Sequence, residues 1–380
     1  MAERPAAYRL LDFVKSSALP CWAEGGICSQ HGGAFEQLDL QGAPFADMPR
    51  RVRVQSRQIY VYAHAHHLGW IDGRQTVENC LSYMRRGALG DARLGERAGC
   101  AHTVTPDGVV IDPRRDLYDQ AFLLLGMAWA WKAFGIEDCL QYIDQTWALI
   151  DSEMAASNGG WVEAIDTEIA SPRRRQNPHM HLFEACMELA HCLEDRIWIE
   201  RAAKIRVLFD QYFLDHETGG VIEFFDTKWR PEKAASARII EPGHVAEWSW
   251  LLFRYGELTG RDESGFSREL LKTAETLGLN SDTGLLFDKV GSRGRGGRTH
   301  RTWPQTEYIR ALVAAGLRGE EIGDRLENAV SAFMSHFVPD PEAGLWIDQV
   351  DHAGTEIFNR APASTFYHIL GAAVALDRLL

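Results

Sequence analysis

GGWVEAID (159–166) and GGVIEFFD (219–226) share one shape: glycine, a few apolar residues, then an acid. The shape recurs as GGAFEQLD (32–39), GCAHTVTPDGVVID (99–112), TGLLFDKV (283–290) and AGLWIDQV (343–350), at intervals of about 60 to 67 residues. Alternating apolar residues after glycine predict a short strand or hairpin. Self-similarity at a fixed interval is the signature of a repeat architecture. A second series runs in step with the first: Pro49, Pro113, Pro178, Pro242, Pro304 and Pro362. Each opens a segment of helical periodicity, where proline suits the first position because the amide it lacks would be unpaired anyway. Asp112, Asn177 and Glu241 precede three of these prolines, and Asp or Asn is a good cap.

A further helical segment follows each proline-led one, for example 136–153 and 196–214, and an N-terminal helix over about 4–18 brings the count to twelve. Six helical hairpins make either an open solenoid or a closed ring. An open solenoid should end in polar caps, yet the last helix, PASTFYHILGAAVALDRLL (362–380), is as apolar as an inner one. The sequence therefore predicts an all-α (α/α)6 barrel, twelve helices in two concentric rings with short β-hairpin loops at the mouth, as a single catalytic domain over 1–380. In that ring the proline-led helices all point their partially positive N-termini at one mouth.

Composition narrows the partners. A net charge of −13 argues against nucleic acid or an anionic membrane. The absence of an 18-residue apolar run predicts no spanning helix, and the charged N-terminus does not resemble a secretory signal. Seven cysteines without a C-x-x-C fit neither a disulfide framework nor a zinc ribbon, so a reducing cytoplasm is the expected location.

The first turns of the proline-led helices should line one pocket. They supply Arg57, Tyr118, Asp119, Asn177, Met180, His181, His244, Glu247, Trp303, Gln305, Glu307 and His368. In RRQNPHMHLFEA (174–185), His179 and His181 lie two apart and so point to different sides of a helix. His181, sharing a face with Glu184, is expected in the pocket, and His179 in a structural role. His244 and Glu247 share a face at i,i+3, a spacing also used in di-iron bundles, but there in the order Glu-x-x-His with more glutamates. No metal is therefore expected. For any one histidine a packed or surface role is the commoner case; the constellation carries the prediction. A helix N-terminus favours a neutral imidazole and a carboxylate favours a charged one, which suits acid/base work near neutral pH. Trp22, Trp70, Trp161, Trp248, Trp303 and Trp346 fall in or near the loops; each either packs in the core or stacks on a sugar. The sequence lacks the nucleotide-binding and nucleophile-elbow glycine motifs. The basic stretch KVGSRGRGGRTHR (289–301) is either a solvated loop or an anion site, and RRR (173–175) carries the same two readings.

RRQNPHMHLFEA, EPGHVAEWSWLL (241–252) and RTWPQTEYIRAL (301–312), in this order and spacing, resemble the N-acylglucosamine 2-epimerase superfamily, most of all its D-mannose isomerase branch. The resemblance runs from GGAFEQLD to His368 and implies the same barrel and proton transfer at sugar C1 and C2 without a cofactor. It implies substrate contacts for Arg57, His181 and Arg238, stacking for Trp303, and acid/base roles for His244, Glu247 and His368. The expected reaction is D-mannose to D-fructose through a cis-enediolate. Alternatives are a sugar 2-epimerase and a phospho- or sulfo-sugar isomerase. More distant rivals are a glycoside hydrolase using Glu247 and Glu307 and a sugar-binding protein without chemistry. The expected partner is a small sugar, and the chain is expected to be a monomer or homodimer.

Overall fold

A computed structural model describes residues 5–167, 173–232, 239–291, 293–294 and 296–380. The N-terminal helix α1 runs through three segments, Ala6–Asp12, Phe13–Ala18 and Leu19–Gly25, the middle one with π geometry. Five further pairs of helices follow. They are α2 (Val52–His67) with α3 (Arg74–Arg85), α4 (Leu117–Phe134) with α5 (Asp138–Leu149), α6 (Gln176–Leu193) with α7 (Ile197–Leu208), α8 (Pro242–Thr259) with α9 (Ser264–Gly278), and α10 (Thr302–Leu317) with α11 (Gly323–Phe337). Helix α12 (Ala363–Leu379) ends the chain. The even-numbered helices touch in the cycle α2–α4–α6–α8–α10–α12–α2, and the odd-numbered ones pack outside them. This is the (α/α)6 barrel expected from the repeat.

Sequence assigns each helix to its ring. In α4, LYDQAFLLLGMAWAWKAF, side chains on every side are buried from Leu117 to Ala130, as an inner helix enclosed all round requires. In α11 only Leu326, Ala329, Val330, Phe333, Met334 and Phe337 are buried, the single stripe of an outer helix.

Short antiparallel strands tie the repeats together. The strand before each inner helix pairs with the glycine-led strand of the next repeat. The pairs are Arg50–Arg51 with Thr103–Val104, Arg115–Asp116 with Ala164–Ile165, Arg173–Arg175 with Phe224–Asp226, Ile239–Ile240 with Val290–Gly291, and Thr299–Arg301 with Gln349–Asp351. The last, Arg360–Pro362, pairs with the first, Gln37–Asp39, and so closes the ring across the chain ends. A second joint repeats inside each unit. The fourth residue of α2, α4 and α10 is Gln55, Gln120 or Gln305, whose amide binds both backbone groups of Ala34, Cys100 or Leu286. In α6 that position is His179, whose Nε2 accepts from the Trp161 amide at 3.1 Å and whose Nδ1 lies 2.9 Å from the Arg175 carbonyl. The structural role expected of His179 is this joint. Gln305, expected at the mouth, is committed to the joint instead.

The proline series is less regular than the sequence suggests. Only Pro242 occupies a first helical position; Pro178 and Pro304 are third, and Pro362 is the capping residue. Pro49 and Pro113 precede the strands Arg50–Arg51 and Arg115–Asp116, which intervene before the helix. Accordingly Asp116, not Asp112, caps α4 by accepting from the Tyr118 amide at 3.0 Å, and Asn177 lies inside α6 rather than capping it. Among the described residues no helix is long and apolar enough to cross a membrane.

Candidate active site

The inner helix starts enclose a cavity of about 350 Å³ at the mouth. Arg57 from α2, Tyr118 from α4, Asn177 and His181 from α6, His244 and Glu247 from α8, Trp303 from α10 and His368 from α12 all line it. Arg238 lies outside the described residues. Met180 does not reach the cavity: it is fully buried in the apolar core. On α6 the inward stripe runs Asn177, His181, Glu184 at i, i+4, i+7, and Met180 falls to its side. Asp119 is likewise turned away, holding Arg53 at 2.9 Å and His102 at 2.6 Å. Glu307 lies one layer below the cavity surface, wholly buried behind His368. Of the six tryptophans only Trp303 lines the cavity. Trp22, Trp248 and Trp346 are core, and Trp161 packs on His179.

Two histidines are pushed in opposite directions. His244 Nδ1 lies 2.9 Å from Glu223 Oε1 and 3.5 Å from Glu241 Oε2. Burial works against its charge, but the Glu223 and Glu241 carboxylates outweigh it and raise the ring to about 9. His368 donates from Nδ1 to Glu307 at 2.7 Å, yet burial, with Arg57 and Arg310 nearby, pushes it well below 6.5. The indole of Trp303 sits between them, its ring centre 5.0 Å from His244 and 5.7 Å from His368. Gly243 makes room for it. A Cβ there would stand 2.6 Å from Trp303 Cζ3 and 2.9 Å from Pro304 Cβ. Gly243→Ala is expected to cost about 1–3 kcal/mol by overpacking and to raise KM as the indole shifts, measurable by thermal melts and steady-state kinetics.

Beneath the cavity lies a buried ion network. Arg310 donates to both oxygens of Glu307 at 3.2 and 3.0 Å and to Glu184 at 3.2 Å; Tyr367 Oη also donates to Glu184. His181 Nδ1 stands 3.5 Å from Glu184 and 3.8 Å from Glu247, and burial drives this ring down to about 4. Burial raises Glu307 to about 7 against the pull of Arg310. Burial, with Glu307 and Glu184 nearby, raises Glu247 well above the usual carboxylate range, and neither of its oxygens has a hydrogen-bond partner. Glu247 is thus a neutral acid facing the cavity. Arg310→Gln would strand two buried carboxylates, so a loss of about 3–5 kcal/mol in denaturant unfolding is expected.

Three groups bring potential metal-ligand atoms within 4.8 Å: His181–Glu184–Glu247, Glu223–Glu241–His244, and Glu247–Glu307–His368. Each already contains or adjoins a cation of the protein, Arg310 or charged His244.

Glu223, Glu241, Arg310 and Tyr367 also belong to this site, though the sequence pattern does not single them out for it. Glu223 was visible only as the acid of its repeat. In two other repeats that acid is clamped by the arginine capping the following helix: Glu36 by Arg51 and Glu163 by Arg175, each accepting from the backbone amide and from Nε. In the fourth repeat the capping residue is Glu241. With no arginine to hold it, Glu223 turns to His244.

The double ring of helices brings paired histidines, carboxylates and an arginine together at one mouth, the site of a sugar-processing enzyme. The chain belongs to the N-acylglucosamine 2-epimerase family, whose sequence model matches residues 33–372. It is 35% identical to a mannose-6-phosphate isomerase of Rhizobium meliloti, over 98% of this chain and 97% of that one. It is 26% identical to a D-mannose isomerase of Thermobifida fusca, over 91% and 85%. A solved D-mannose isomerase structure superposes with a TM-score of 0.87 at 20% identity, covering 98% of each chain, and shows the same fold.

Proposed function

We propose that the chain is a metal-independent aldose–ketose isomerase that converts D-mannose to D-fructose. The observation that carries this is the pair of histidines on either side of Trp303, each held by its own carboxylate, with the Arg57 guanidinium in the same cavity. The relatives named as mannose and mannose-6-phosphate isomerases support the substrate type.

The sugar stacks on Trp303 and opens as Glu247 gives its proton to the ring oxygen and takes the O1 hydroxyl proton in return, while charged His244 donates a hydrogen bond to the sugar oxygens. His368, neutral and oriented through Nδ1 by Glu307, removes the C2 proton at Nε2. The negative charge on the enediolate oxygens meets Arg57, His244 and the helix N-termini, fixed donors in a site shielded from water. His368 returns the proton to C1, while His244 gives a proton to O1 and takes one from O2. The C2 hydrogen has moved to C1, the hydroxyl proton from O2 to O1, and no oxidant or reductant is required. The cations that offset the carboxylates are Arg310 and His244, which supports a reaction without metal. The hydrolase alternative is weaker because Glu307 is held behind His368 and does not line the cavity.

The protonation states give a pH profile. Glu307 must be ionised to accept from His368, so kcat/KM should rise through about 7. His244 must be charged, so it should fall through about 9. A flat profile across that range would contradict the assignment. The deciding experiment is incubation of chelator-treated protein with D-mannose in heavy water, followed by NMR. Fructose carrying deuterium at C1 is expected. Glucose without fructose would make the chain an epimerase, and activity only after metal is restored would overturn the metal-free mechanism.

A further inference from the structure

The turn that opens the first repeat, Cys28–Gly33, recurs in the fourth and fifth. The Cys28 amide donates to the Gly33 carbonyl at 2.9 Å, and the Cys28 carbonyl accepts from the Gly32 amide at 2.8 Å. Asp215 makes the same two bonds with Gly220 and Gly219, and Asn280 makes them with Leu285 and Gly284. In those two turns a side-chain oxygen is the acceptor for a backbone amide: Glu217 donates to Asp215 and Asp282 to Asn280, each at 3.0 Å. In the first repeat the acceptor is a sulfur, with the His31 amide 3.4 Å from Cys28 Sγ. A thiol sulfur accepts weakly, whereas a charged acceptor makes the stronger bond.

A buried cation stands beside that sulfur. Arg50 is 1% exposed. Its Nη1 donates to the Gly32 carbonyl at 2.7 Å, while Nε and Nη2, both buried, have no oxygen to bond, and among the described residues Arg50 is in no ion pair. Its Cζ lies 5.0 and 5.1 Å from the ring centres of Tyr83 and Phe35, and the guanidinium faces Cys28. Arginine does not shed its proton, and a buried charge without a partner is costly, so an anion belongs here. Burial raises Tyr83 and Cys80, two other acids near Arg50, to about 12, which leaves both neutral. Burial raises Cys28 as well, but Arg50 and the His31 and Gln30 amides outweigh it and bring the thiol below its ordinary value. Of the seven cysteines Cys28 alone is lowered; burial raises the other six, Cys21 with help from Glu24.

Cys28 is also reachable. It is 8% exposed and lines a surface cavity of about 540 Å³ between the turn and α3. Glu24 and Arg86 carry opposite charges at the rim, and Arg86 donates to the His31 carbonyl. The isomerase mechanism uses none of these groups.

We propose that Cys28 is the reactive thiol of this protein, paired with Arg50 and oxidised by hydrogen peroxide at the floor of that cavity. Thiolates next to arginine are the nucleophilic ones. The sulfur attacks one peroxide oxygen, the O–O bond breaks, and the departing hydroxide takes a proton from solvent. The products are a cysteine sulfenic acid and water; sulfur loses two electrons and peroxide gains them. A reagent barely larger than water needs no more opening than the cavity gives.

The test is labelling of the whole reduced protein with iodoacetamide from pH 5 to 10, each cysteine being followed by peptide mass spectrometry. Cys28 is expected to react first, with a midpoint below the value of about 8.5 for a free thiol. Arg50→Met, which removes the charge at similar length, should raise the midpoint and slow labelling at pH 7 about 10-fold for each unit moved. Arg50→Lys, which keeps the charge, should fall between the two, and it replaces Arg50→Met if that variant does not fold. After hydrogen peroxide, dimedone should mark the Cys28 peptide, and Cys28→Ser should take up no dimedone. A Cys28 midpoint at or above about 8.5, labelling no faster than at Cys21, or no dimedone on the Cys28 peptide would overturn the proposal. None of these outcomes bears on the isomerase reading.

Discussion

His368→Ala is expected to lower kcat by about 10²- to 10⁴-fold, the contribution of one positioned acid/base. Deuterium incorporation from solvent into sugar carbon should fall in parallel. The geometry behind this is a chain of three groups: Arg310 holds Glu307 at 3.0 Å, Glu307 holds His368 Nδ1 at 2.7 Å, and Nε2 remains for the substrate. Loss of the ring leaves no other neutral imidazole beside Trp303, since His244 is charged and His181 lies over Tyr118 and Phe122. Added imidazole should restore part of the rate, because it can occupy the space left by the side chain. A variant that keeps solvent exchange but loses net turnover would move the base to another residue.

Arg57→Ala is expected to lower kcat by about 10²- to 10³-fold, the cost of removing one preorganised donor to an oxyanion. Its guanidinium is fixed from several sides. Nη1 donates to the Ser364 carbonyl at 2.8 Å, Nη2 donates to Tyr118 Oη at 2.6 Å, and Cζ lies 4.0 Å above the Phe122 ring. A lysine has neither the fork nor the flat face. Arg57→Lys should therefore recover little, and binding of a fructose product should weaken far less than turnover. If instead KM rose with kcat unchanged, Arg57 would be a ground-state binding group, not a stabiliser of the enediolate.

The sequence carried the fold because a repeat leaves a periodic trace. Glycines with positive φ, such as Gly160 and Gly219 at 67° and 72°, mark where each unit turns, and apolar residues all round a helix mark the inner ring. The same periodicity located His181, His244, Trp303 and His368, because homologous helix starts converge wherever the ring closes. It misplaced Met180 and Gln305, because position in a repeat does not say which way a side chain turns. His179 shows the difference within a single pair. It sits two residues from His181, yet it replaces a glutamine in a structural joint while His181 enters the cavity.

What only the tertiary structure decided is the charge state of the site. Glu223 and His244 are 21 residues apart, Glu307 and His368 are 61 apart, and Arg310 reaches Glu184 across 126. No local pattern encodes those pairings, since they exist only when the ring is closed and water is excluded. Burial then sets the outcome: with nearby carboxylates it leaves one imidazole charged, and without enough of them it leaves another neutral. The sequence by itself determined the barrel and which helix starts meet at its mouth. The packing of inner helices from distant parts of the chain decided which histidine holds a proton and which can take one.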